Sequence, residues 1–195
     1  MKETIDFEEL LDLAMSLGAS DVAITSTDNI EVDSKLVSFC KNPRCENYGL
    51  SPSCPPHVSG PDGFRKLLKE LAHVLVLRIV VPSSVLFSDE RRELMALLHE
   101  LVATVELAAI KNGLNKSKAF AGGSCKDLFC FAEDDCNVLS GGGDCRNPTR
   151  SRPSMSGFGV NVSKLLKSCG WESNIKVKQS GDDPLSWVAG IVLLG

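Results

Sequence analysis

Aromatic residues are scarce. Eight Phe, two Trp and one Tyr make up 6% of the 195 residues, which argues against a base-stacking surface. Positive charge is not in excess either: the formal net charge is -4, whereas nucleic-acid binders normally present a strongly basic domain. Uninterrupted hydrophobic runs are also lacking. The longest apolar stretch, 94–110, is broken by His99, Glu100, Thr104 and Glu106, and the apolar segment from Trp187 to Gly195 is too short to span a bilayer. Met1 to Asp6 is mixed and acidic with no apolar run behind it, so no secretory signal is expected. Neither a nucleic-acid partner nor a membrane is expected, and the cytoplasm is the expected location. With three scattered histidines, no Ser–His–Asp set can be assembled. Gly122-Gly123 and Gly141-Gly142-Gly143 lack the Lys-Ser/Thr of a phosphate loop and the strand–helix setting of a dinucleotide fingerprint.

What the chain does have is cysteine. The eight are Cys40, Cys45, Cys54, Cys125, Cys130, Cys136, Cys145 and Cys169. An even number raises a disulfide framework, but such frameworks belong to short secreted chains. A chain of this length buries about 70% of its unfolded surface and needs no such staples. In a reducing compartment, clustered thiols point to metal.

The apolar pattern predicts four helices and about four strands. An Asp6-x-x-Glu9 capping box opens a helix carrying Phe7, Leu10, Leu11, Leu13 and Ala14, stopped by Gly18. Val22 to Ile24 reads as a short strand. Pro61-Asp62-Gly63 starts a second helix with Phe64, Leu67, Leu68 and Leu71, and Val74 to Val81 is a strand buried on both faces. Ser88-Asp89-Glu90 opens the longest helix, running to Asn112-Gly113. Ser117 to Ala121 is a strand, Val162 to Ser168 a helix ended by Gly170, and Trp187 to Leu194 a final strand. Helices alternate with strands, so the class is α/β, with α+β as the alternative. A single metal-binding domain over 1–195 is expected, with a mixed sheet and the cysteines on two long loops, 38–60 and 122–158. Loops that long are usually functional, and these are too poor in apolar residues to order themselves.

The first cysteine group is Cys40-x4-Cys45-x8-Cys54-Pro55-Pro56-His57; the second is Cys125-x4-Cys130-x5-Cys136-x8-Cys145-Arg146-Asn147-Pro148. Zinc sites favour short Cys-x2-4-Cys knuckles, and Cys-x2-Cys is missing here. The two Cys-x4-Cys pairs match the opening of plant-type iron–sulfur loops, and Cys54-Pro55 matches the Cys-Pro that closes bacterial ferredoxin motifs. One or two 4Fe-4S clusters are therefore favoured, with zinc as the alternative. Cys125, Cys130, Cys136 and Cys145 can supply a full set of four thiolates. Cys40, Cys45 and Cys54 are one short; Cys169, His57, solvent or a substrate would complete them. A buried thiol is the plainer reading of Cys169, and an exposed loop side chain the plainer reading of His57.

Arg146, Arg150 and Arg152 follow Cys145 closely. Guanidinium groups beside an anionic cluster raise its reduction potential, which makes Arg146 and Arg152 candidate cofactor-binding residues; pairing with Asp127, Glu133, Asp134, Asp135 or Asp144 is the alternative. The glycines would let the backbone fold closely around a cluster, with Met155 and Phe158 packed over the loop.

Cys40-x4-Cys45-x2-Tyr48-Gly49-x4-Cys54-Pro55-Pro56 resembles the N-terminal signature of a family of predicted metal-binding proteins, domain of unknown function 2284. The likeness continues in Gly122-Gly123-Ser124-Cys125, in Cys145-Arg146-x-Pro148, and in Arg152-Pro153-Ser154-Met155-Ser156-Gly157-x-Gly159-Val160-Asn161-Val162. The family's second group is often tighter, Cys-x2-Cys-x2-Cys, than the one here. The resemblance implies metal binding and names no reaction. An electron-transfer or redox role, exercised on a partner protein or a small molecule, is the leading expectation; a zinc-stabilised interaction module is the alternative.

Overall fold

A computed structural model describes residues 7–174 and 183–195. Four strands form one sheet: β1 (Asp21–Ser26), β2 (His73–Pro82), β3 (Lys118–Phe120) and β4 (Leu185–Leu194), in the order β1-β2-β4-β3. All four lie where the apolar pattern places them. Every neighbouring pair is antiparallel, so the sheet is antiparallel where a mixed one is expected. No helix acts as a crossover between neighbouring parallel strands, and the arrangement is accordingly α+β in character.

The near-continuous apolar run of β2 follows from cover on both faces. Alternate residues serve two cores. Leu75, Leu77 and Ile79 join Val188, Val192 and Leu194 on one face. Val74 and Val76 join Ala189, Ile191 and Leu193 on the other. The first face is covered by α1 (Glu8–Ser16), through Leu10 and Ala14, and by α5 (Glu90–Lys111). Leu94, Leu98, Leu101, Val105 and Ala109 line α5's buried stripe at helical spacing. Gly190 allows the helix this close: a Cβ there would stand 2.5 Å from Val102 Cγ1.

The second face is covered by α3 (Gly60–Leu68), α7 (Val162–Ser168) and a 3-10 turn at Met155–Phe158. Phe64, Phe120 and Phe158 meet ring to ring there, with centroids 5.0–5.3 Å apart. Met155 and Phe158 are thus core residues beneath the second loop.

Three helices escape the sequence reading: α2 (Ser34–Lys41), α4 (Ser83–Leu86) and α6 (Cys125–Phe129). Each is short, and α2 buries no residue fully, so none shows a long apolar period. The capping residue Asp6 lies outside the described residues. At α5 the cap position falls on Asp89, whose side chain makes no capping bond, while Glu90 and Glu93 do oppose the helix dipole. Among the described residues no helix is long and apolar enough to cross a membrane.

Candidate metal centre

All eight cysteines are free thiols. Seven gather on one side of the fold because backbone bonds draw the two loops together. Ala121 and Ser154 form a parallel bridge, Met155 N–H donates to Ala121 O at 2.9 Å, and Ser154 N–H donates to Ser53 O at 3.2 Å. The second loop is therefore stitched both to the end of β3 and to the first loop. At the far end of the first loop, Asp33 caps α2 through Lys35 N–H at 2.8 Å and donates its own N–H to Gly159 O at 2.8 Å. Gly159 has φ +74, and a Cβ there would lie 2.5 Å from Asp33 O. Only glycine fits this crossing.

Cys125, Cys130, Cys136 and Cys145 line one cavity of about 240 Å³, together with Ser51, Phe129, Arg146 and Asn147. Cys125 opens α6 and Cys130 ends it. Asn147 donates twice to sulfur: its backbone N–H to Cys145 Sγ at 3.4 Å and its amide Nδ2 to Cys130 Sγ at 3.4 Å. Lys126 Nζ holds the turn after α6 by bonding Cys130 O at 2.8 Å and also Glu133 O. Burial pushes the Cys130 thiol up. The Asn147 bond opposes this, the thiolates of Cys125 and Cys145 reinforce it, and the Arg146 guanidinium opposes it again.

Cys40, Cys45 and Cys54 line a second, larger cleft of about 680 Å³. Cys40 sits in the last turn of α2, and Cys45 N–H bonds back to Cys40 O at 3.1 Å. Burial raises the Cys40 thiol, and the negative charges of Cys45 and Cys54 add to it. Cys54 is raised chiefly by burial, with Ser124 and Ser51 opposing and Cys125 and Cys45 reinforcing. The Ser51 and Ser124 hydroxyls are buried and meet the geometry of a hydrogen bond to no partner, yet both lie close enough to favour the Cys54 thiolate. Buried hydroxyls without partners are costly, and a sulfur carrying full charge would satisfy them. Cys54 and Cys125 feel each other's charge, so the two sulfur sets are neighbours.

Among the described residues no three Cys, His, Asp or Glu side chains converge on a point where one ion would sit. The sulfurs surround cavities instead.

Of the other candidates, only Arg146 lines either cavity. Cys169 packs half-buried against the second core, and burial raises its thiol. His57 Nε2 faces Gly49 O at 3.2 Å on an exposed turn. Arg146 lines the four-thiol cavity while also pairing with Glu133 at 3.4 Å. Arg150 pairs with Glu100 at 3.0 Å and lies 4.3 Å from the Phe129 ring centroid. Arg152 turns inward: it is buried and pairs with Glu106 at 2.5 Å. Glu106 also accepts the N–H of Ala119, and His99 accepts the Arg152 N–H at 3.2 Å while its other nitrogen faces Gly122 O at 2.7 Å. Arg152 thus anchors the loop to α5 from below, in a structural place rather than a cluster-facing one.

Sequence reasoning misses Asn147, Ser51, Ser124 and Lys126. Asn147 lies inside a motif quoted for its cysteine and proline, and Ser124 immediately precedes a candidate ligand. A polar residue adjacent to or two places beyond a ligand is a recognisable signal for an N–H or O–H aimed at sulfur.

Fold and site together describe a cysteine-rich α+β protein with seven thiols around two neighbouring cavities. The chain belongs to the family described as predicted metal-binding protein (DUF2284), whose model matches residues 23–194. No curated protein and no solved structure matches it.

Proposed function

We propose that this protein holds a 4Fe-4S cluster on Cys125, Cys130, Cys136 and Cys145 and works in electron transfer, with a second cluster on Cys40, Cys45 and Cys54. The observation that carries the reading is the four-thiol cavity with Asn147 donating to two of its sulfurs. Four thiolates are the ordinary ligand set of such a cluster, and hydrogen bonds to sulfur set its potential. A zinc ion bound at about 2.3 Å would need its sulfurs within about 4 Å of one another. Thiols disposed around a cavity suit a larger, cube-shaped group.

When bound, the cluster supplies one-electron chemistry. The protein's own residues do the rest. Cys54 and Cys130 are held above the usual thiol range chiefly by burial, so binding must displace their protons. Asn147 and Arg146 offset negative charge at the four-thiol site, as the Ser51 and Ser124 hydroxyls do at Cys54. The loop bearing Cys130, Cys136 and Cys145 leaves Phe131, Val138 and Leu139 exposed, apolar surface of the kind a redox partner protein would cover.

Spectroscopy on anaerobically purified protein tests the proposal. A brown protein with broad visible absorption, bleached by dithionite and giving an EPR signal on reduction, is expected. A colourless protein with no such signal would overturn it and favour zinc.

A further inference from the structure

The three-thiol cleft does not end at its sulfurs. Arg91, Ser156 and Val162 are shared between it and a neighbouring chamber of about 530 Å³, a volume within the range of small-molecule sites. That chamber is mostly apolar, walled by Met95, Met155, Val188 and Trp187 among others. Among its described lining residues, Arg91 carries the only formal charge. Glu46 and Asp127 belong to the cleft and not to the chamber.

Arg91 stands apart from the other arginines. Five of them reach a carboxylate, and the other two lie over aromatic rings. Arg91, in the first turn of α5 and exposed, does neither among the described residues. Its planar fork matches a carboxylate in two parallel bonds, and the mostly apolar chamber beside it suits a singly charged apolar molecule. Trp187 lines the chamber wall, where its indole ring offers an apolar face to a bound body.

We infer that cleft and chamber form one binding site for a small apolar monocarboxylate, its body in the chamber and its carboxylate on Arg91 at the junction with the three thiols. The missing fourth cysteine then has a purpose, since it leaves a metal position at Cys40, Cys45 and Cys54 open toward the ligand. This last step rests on the cluster reading above; the chamber and Arg91 do not.

Phenylacetate is a suitable probe and phenylacetamide its neutral counterpart. Calorimetry on the anaerobic protein should show saturable binding of phenylacetate and at least about tenfold weaker binding of the amide, the loss expected for one charge-assisted hydrogen-bond pair. Arg91→Ala should weaken phenylacetate about as much and Arg91→Lys less. With Trp171→Phe, Trp187 is the remaining tryptophan of two, and its fluorescence should follow the same binding curve. Equal binding of acid and amide, or unchanged affinity in Arg91→Ala, would overturn the site. Iron and sulfide assays on the same sample keep a failure of the cluster separate from a failure of the pocket. If cluster is present and phenylacetate binds, the reduced EPR signal should shift in wild type; an unchanged signal would overturn the approach to the metal.

Discussion

Around Cys125, Cys130, Cys136 and Cys145 the chain closes on itself, whereas around Cys40, Cys45 and Cys54 it stays open. The first set has four thiols, a cavity of about 240 Å³ and two N–H bonds to sulfur from Asn147. The second has three thiols, a cleft of about 680 Å³ and a polar wall that runs into an apolar chamber. With the proposed clusters in place, four thiolates and hydrogen bonds to sulfur would suit electron storage and transfer. A set one thiol short, beside room for a small molecule, would then suit binding at the metal. The two share a boundary at Ser124-Cys125, where the serine hydroxyl serves Cys54 and the cysteine serves the other set.

The comparison breaks most visibly if a ligand is removed. Cys145→Ala should abolish the closed site's cluster, about half the iron if both sites are filled, while Cys169→Ala leaves iron content unchanged. Equal loss from both would place Cys169 among the ligands. Next in size is the shared floor. Arg152→Ala strands the nearly buried Glu106 and should cost about 3–5 kcal/mol of stability in urea unfolding. Metal per folded molecule should stay the same; selective loss of one cluster would instead return Arg152 to the site.

The pH dependence follows from His99, whose ring burial lowers to about 4 from 6.5. The unfolded chain takes up this proton first, so stability is complete above about pH 6.5 and falls as the pH drops toward 4. The loss should reach up to about 3 kcal/mol. His99→Gln should flatten that part of the profile, and an unchanged profile would show that other groups dominate it. The smallest effects concern potential alone. Asn147→Leu should lower the potential of the closed site only, and Ser51→Ala with Ser124→Ala that of the open one, each without loss of iron. One variant moving both signals equally would mean that the two sites are not separately tuned.

Much of the fold was legible in the pattern of apolar residues. All four strands appear where they are read, as do the four longest-patterned helices, because each buries a continuous face. The pairing was not legible. A doubly covered strand such as β2 looks alike in parallel and antiparallel sheets, and strand direction depends on long connections that carry no local signal. Short α2 and α6 lack enough turns for a period, although they present Cys40 and Cys125. At the site, cysteine spacing pointed to two sets, but not to the role of Arg152. A guanidinium near a cysteine in sequence looks like an electrostatic partner until Glu106, more than forty residues earlier, comes up beneath it. Asn147 shows the reverse. A neutral residue with no evident charge role donates to two sulfurs, once from its backbone and once from its side chain.

Chemical analysis reaches the central claim most directly. Oxygen-free protein should yield iron and acid-labile sulfide in equal amounts, about four of each for every cluster, with zinc well below one per chain. Zinc near one or two per chain, with neither iron nor sulfide, would contradict the account.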